Sequence, residues 1–136
     1  MMAGEAEERE RTAALALLRV PGIGPITFER LVEHFGSCAQ VLAAGDADWT
    51  DAGLPATLRA QLRRPNWPLV ESDLRWLEMP QHHLLRLGQT AYPERLAILP
   101  GAPPLLFVKG DPEVLGQPAL AIVGSRNPSG NGRRMA

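Results

Sequence analysis

The residues Ala119-Leu-Ala-Ile-Val-Gly-Ser-Arg126 form an apolar run that stops at Gly124 and opens into Asn127-Pro-Ser-Gly-Asn-Gly132. Such a run, ending in glycines and small polar residues, reads as a buried strand of a parallel sheet entering a turn suited to a phosphate. That reading constrains the fold more than any other stretch does. A strand with this turn needs a following helix, and a parallel sheet needs further units of the same kind. Only four residues follow Gly132. The chain is therefore expected to be the front part of a longer protein.

Before that point the texture is different. Between about Arg11 and Glu78 the pattern is helical. Thr12 is placed to cap a helix through Leu15, Leu17 and Leu18 to Val20, where Pro21-Gly-Ile-Gly24 breaks it. Phe28, Leu31, Val32 and Phe35 then make one apolar stripe at i, i+3, i+4 and i+7, and Gly36 stops that second helix. Ser37 reads as the cap of a short third helix through Val41 and Leu42, closed by Gly45. Pro55 sits where a first-turn proline would, ahead of Leu58 and Leu62, and Val70, Leu74 and Leu77 share a face of a helix that ends before Pro80. About five short helices result.

After Met79-Pro80, His83–Leu87 and Pro104–Lys109 read as short strands around a brief helix from Tyr92 to Leu99, and Pro118–Val123 reads as the third strand. A domain boundary is expected at residues 78 to 82, giving a helical domain over 1–80 and a second domain over 81–136. The fold class is α+β: an all-α bundle followed by the start of an α/β domain.

Charge locates the chemistry. The net charge is −1, so the whole chain is no magnet for nucleic acid. Its distribution is uneven, however. Glu5, Glu7, Glu8 and Glu10 crowd the beginning, whereas Gln117–Ala136 holds Arg126, Arg133 and Arg134 with no acid, so anion contacts are expected at that end. The longest apolar stretches are too short to span a bilayer, and an acidic start is the wrong sign for a signal peptide, which points to the cytoplasm. One cysteine, Cys38, excludes an internal disulfide framework and is expected as a small buried residue.

Two glycine motifs compete for function. Val20-Pro-Gly-Ile-Gly24 has the shape of a helix-hairpin-helix turn, in which Gly22 and Gly24 would let a phosphate approach. Pro25 removes an amide there and Ile26, Thr27 and Phe28 supply no cation, so a tight structural corner is the better reading. Gly124-Ser125-Arg126 with Gly130 and Gly132 is the other. Backbone amides, the Ser125 hydroxyl and the two-pronged Arg126 guanidinium would suit a phosphate, or the glycines simply turn the chain. The spacing matches neither the dinucleotide fingerprint nor a P-loop, which disfavours nucleotide hydrolysis.

Other residues read as structural. His82 and His83 would point to opposite faces of a strand and are not expected to hold a metal. Trp76 is expected in the core, and Trp49 and Trp67 in loops; none lies in a basic tract that would stack bases. Asp111-Pro112 reads as a turn and cap. No nucleophile and base pair emerges, so neither catalysis nor a cofactor is expected.

Taken in order, the glycine-cornered helical start, Leu84-Leu-Arg-Leu-Gly88, Tyr92-Pro-Glu-Arg-Leu96, Pro103-Pro-Leu-Leu-Phe-Val-Lys-Gly-Asp111 and Pro118-Ala-Leu-Ala-Ile-Val-Gly-Ser-Arg126 resemble the beginning of the bacterial DNA-processing protein A family (DprA, also called Smf). The resemblance implies a protein that binds single-stranded DNA and hands it to the RecA recombinase in natural transformation. It implies a sterile-alpha-motif-like helical domain, then a Rossmann-like domain holding the DNA backbone at the Gly-Ser-Arg turn. Gly124, Ser125 and Arg126 match that turn, and Gly132 matches the glycine opening the next helix. Asn131 stands where the family often has tyrosine. The family's dimer and recombinase contacts would lie beyond residue 136. Two rival readings are a nucleotide-binding Rossmann-like hydrolase and a helical protein-interaction module.

Overall fold

The computed structural model describes residues 2 to 126 and Gly130. Six helices come first: α1 (Met2–Leu18), α2 (Pro25–Phe35), α3 (Cys38–Ala43), α4 (Asp46–Asp51), α5 (Ala56–Arg63) and α6 (Trp67–Leu77). Then follow β1 (His82–Arg86), the single turn α7 (Glu94–Ala97), β2 (Leu105–Lys109) and a 3-10 turn, Pro112–Gly116. The class is α+β, dominated by helices. No helix among the described residues is long and apolar enough to cross a membrane.

The centre of the molecule is the second half of α1. Ala13 to Leu17 are all buried in succession, so this stretch is surrounded on every side rather than along one stripe. Its alanines let α3 and α6 approach closely, and Phe28, Leu31, Val41, Trp49, Leu62 and Val70 complete the core. The α2 stripe packs as its spacing predicts, and Gly36 at φ 101° ends it with its amide donating to the Val32 carbonyl. Ser37 caps α3 as expected, accepting from the Gln40 amide at 3.1 Å.

Several boundaries differ from the sequence reading. α1 begins at Met2, and Thr12 lies inside it rather than capping it. The acidic lead is rich in Ala, Glu and Arg, which are strong helix formers, and its early Glu5 complements the helix dipole. Gly45 does not close α3. It precedes α4, an extra helix held at its start by the Asp48 carboxylate accepting from the Gly45 amide. Trp49 is accordingly helical and buried, with its indole N–H donating to the Val41 carbonyl at 2.8 Å. Trp67 opens α6 instead of lying in a loop.

β1 and β2 pair antiparallel, with Leu84 opposite Phe107 and Leu85 opposite Leu106. The hairpin lies against the helices. Leu105 joins the core, Trp76 stacks on His82 with ring centroids 3.8 Å apart, and Trp76 meets Phe107 edge-on. Asp111 caps the 3-10 turn, accepting from the Glu113 amide.

The expected third strand over Pro118–Val123 is not formed among the described residues, where the sheet has only β1 and β2. Leu120, Ile122 and Val123 are 88%, 79% and 92% exposed. An apolar strand needs hydrogen-bonding neighbours on its edges and cover on its faces. This segment has neither from the elements described, so it runs on in irregular form.

Candidate nucleic-acid interface

Gly124, Ser125 and Arg126 follow this exposed run and are themselves exposed. A side chain at Gly124 would meet nothing within 4 Å, so packing within the described residues does not require glycine there. Arg126 makes no ion pair among the described residues. Gly132, Arg133 and Arg134 lie outside the described residues.

The other glycine motif is built differently. Gly22 has φ 92°, and a Cβ on it would lie 2.8 Å from Leu58 Cδ2 on α5. Glycine is thus favoured by the backbone conformation, and a side chain there would also have to displace the end of Leu58. Gly24 precedes α2 in an extended conformation, its carbonyl accepting from the Phe28 amide, with Pro25 as the first helical residue. Arg19, at the exit of α1, is held by Asp73 through a two-pronged pair, its Nε at 2.8 Å from Oδ2. Its charge is therefore directed into the fold, away from any ligand at the corner.

A densely connected polar group among the described residues lies elsewhere. Glu10 accepts from the Cys38 amide at 2.7 Å and the Ala39 amide at 2.9 Å, placing an anion at the start of α3. Arg86 on β1 donates to the same carboxylate at 2.9 Å and lies over the Phe28 ring. Burial raises the Glu10 pKa, but the two amides and Arg86 outweigh it and hold the group below the usual glutamate range. Glu29 stands nearby with one oxygen, Oε1, buried and unpaired. Burial pushes Glu29 up, only partly offset by Arg86.

These residues tie α1, α3 and the hairpin together. The Glu10 oxygens are spent on the two amides and the Arg86 guanidinium, whereas Glu29 keeps one oxygen unpaired. Sequence spacing gave no sign of the pairs Glu10–Arg86 and Arg19–Asp73.

Cys38 lies fully buried beneath this cluster, and its thiol is pushed up to about 12, first by burial, with Glu10 and Glu29 adding and Arg86 opposing. Burial thus keeps the thiol in its protonated form at neutral pH. A chromogenic disulfide reagent is expected to leave Cys38 unmodified in the folded chain and to react at once in denaturant. Stoichiometric reaction without denaturant would contradict this burial. Among the described residues no group of histidine, cysteine and carboxylate side chains could hold a metal.

Comparison with known proteins agrees with the order of these segments. Residues 8–49 match the family model described as DprA-like N-terminal HHH domain. Residues 83–136 match the model for DNA recombination-mediator protein A. Between them the two matches take in most of the chain. Protein Smf of Escherichia coli (strain K12) is 41% identical over 80 residues, covering 57% of this chain and 21% of that protein. The matched part is thus about a fifth of that relative's length.

Proposed function

We propose, for a chain that belongs to the DNA recombination-mediator protein A family, that Gly124, Ser125 and Arg126 hold the sugar-phosphate backbone of single-stranded DNA. The observation that carries this reading is the solvent-facing Arg126, free of ion pairs to the described residues and flanked by a glycine that internal packing does not require. A guanidinium and backbone amides read phosphate without reading base identity, so binding is salt-dependent and weakly selective. Gly132, Arg133 and Arg134 extend the same basic end of the sequence.

The role in this proposal is non-enzymatic: the protein carries single-stranded DNA to the RecA recombinase in natural transformation, in the cytoplasm, as a homodimer. Residues 1–80 form its helical domain and residues 81–136 belong to a Rossmann-like domain. Within that domain Ala119–Val123 becomes a buried strand once neighbouring strands supply its edges.

The test is Arg126→Ala in the protein that carries the complete Rossmann-like domain, titrated with a labelled oligonucleotide at several salt concentrations. Loss of one phosphate contact is expected to weaken binding about tenfold and to lower the salt slope by about one. Unchanged affinity and slope would remove Arg126 from the site.

A further inference from the structure

We propose that the groove between α1 and α3, walled at one side by Trp67, is a docking site for a basic amphipathic helix of another protein. The cavity measures about 630 Å³. Its floor is Ala13, Ala39, Leu42 and Ala43, and the three alanines leave room for the knobs of an incoming helix. Trp67 is 46% exposed, although it stands at the first position of α6, where neither capping nor helix propensity calls for tryptophan. An indole held at the mouth of an apolar groove is the kind of side chain that dominates binding energy in protein interfaces.

Charge chooses the occupant. Glu5 and Glu8 rise from α1 along the rim, with Arg9 beside them, and none of the three is in an ion pair among the described residues. Glu10 is already occupied at the start of α3. An acidic rim favours lysine- or arginine-bearing partners and speeds their encounter. It repels nucleic acid and anionic lipid. A second copy of this chain would bring the acidic lead of α1 against itself.

Backbone geometry fixes the conformation of that partner. Every element lining the groove is a helix, with no strand edge among its walls, and the first amides of α3 and α6 are capped by Ser37, Glu10 and Asn66. An extended peptide would find no ladder to join, whereas a helix satisfies its own backbone and needs only side-chain contacts. The site is independent of the DNA reading, since it lies on helices that contribute nothing to residues 124–126.

Fluorine NMR on the fluorotryptophan-labelled chain reads the site directly, because the sequence has three tryptophans and each resonance is assignable by substitution. The probe is a synthetic leucine–lysine amphipathic helical peptide, with its leucine–glutamate counterpart as control. The lysine peptide is expected to shift the Trp67 resonance saturably, and the exposed pair Glu5→Lys with Glu8→Lys to weaken that binding about tenfold or more. Circular dichroism confirms that the variant stays helical. A Trp67 signal that does not move, equal binding by the charge-reversed variant, or equal binding of the glutamate peptide would each overturn the proposal. Loss of DNA binding in Arg126→Ala bears on none of these outcomes.

Discussion

Glu10→Ala is expected to lower the unfolding free energy by about 2–4 kcal/mol, since it removes three charge-assisted hydrogen bonds at one stroke. The Cys38 and Ala39 amides lose their acceptor at the start of α3, and Arg86 loses its partner across the contact with the hairpin. Glu10→Gln keeps acceptor oxygen but loses the charge, so its cost falls between alanine and the parent. Urea denaturation followed by circular dichroism measures both. An alanine variant as stable as the parent would mean that the carboxylate does not organise this junction.

Acidity should separate Glu10 from its neighbour Glu29. The Glu10 pKa is depressed in the folded chain, so its contribution is present above the ordinary glutamate value and is lost as pH falls through the depressed one. Glu29 is raised, so its contribution is complete below the ordinary value and is lost as pH rises through the raised one. Stability against pH should climb out of the acid limb because of Glu10 and then fall gently because of Glu29. Glu10→Gln should flatten the first limb and leave the second.

Local signals made much of this fold legible. The stripe Phe28, Leu31, Val32 and Phe35, the stop at Gly36 and the cap at Ser37 each lie within a few residues of what they determine, and the structure has all of them. The two paired strands were legible for the same reason. α4 was not, because it is six residues long and buries only Trp49, too little for any periodicity to register. The lead of α1 escaped because its residues are exposed all round, so helix propensity alone sustains it.

Long-range chemistry left no trace in spacing. Glu10 and Arg86 are 76 positions apart and Arg19 and Asp73 are 54 apart, distances across which no repeat or motif records a pairing. The groove at Trp67 was hidden likewise, since it draws on α1, α3 and α6 together. The candidate DNA site shows the opposite failure. Its strand signal is local and clear, but a strand exists only with neighbours, and the described residues provide none for Ala119–Val123. What remained legible is the exposed Gly124-Ser125-Arg126 itself.

Gly22→Val is expected to cost about 2–4 kcal/mol, from a β-branched residue forced to positive φ and from a new side chain driven into α5. The two causes separate experimentally. At φ 92° the backbone strain remains whatever surrounds it, whereas the 2.8 Å approach to Leu58 Cδ2 is relieved if Leu58 is shortened. A double-mutant cycle of Gly22→Ala with Leu58→Ala therefore gives a coupling term that measures the clash and a residue that measures the dihedral. Gly24→Ala is the milder comparison, because it meets nothing within 4 Å and has an ordinary φ of −86°, so its cost should be only that of alanine at the N-cap of α2, about 0.5–1 kcal/mol. The pair also tests whether the corner touches DNA. If Gly24→Ala, still fully folded, weakens binding of single-stranded DNA as much as Arg126→Ala does, phosphate reaches this turn; equal affinity to the parent leaves Val20–Gly24 as a corner whose Gly22 serves the positive φ.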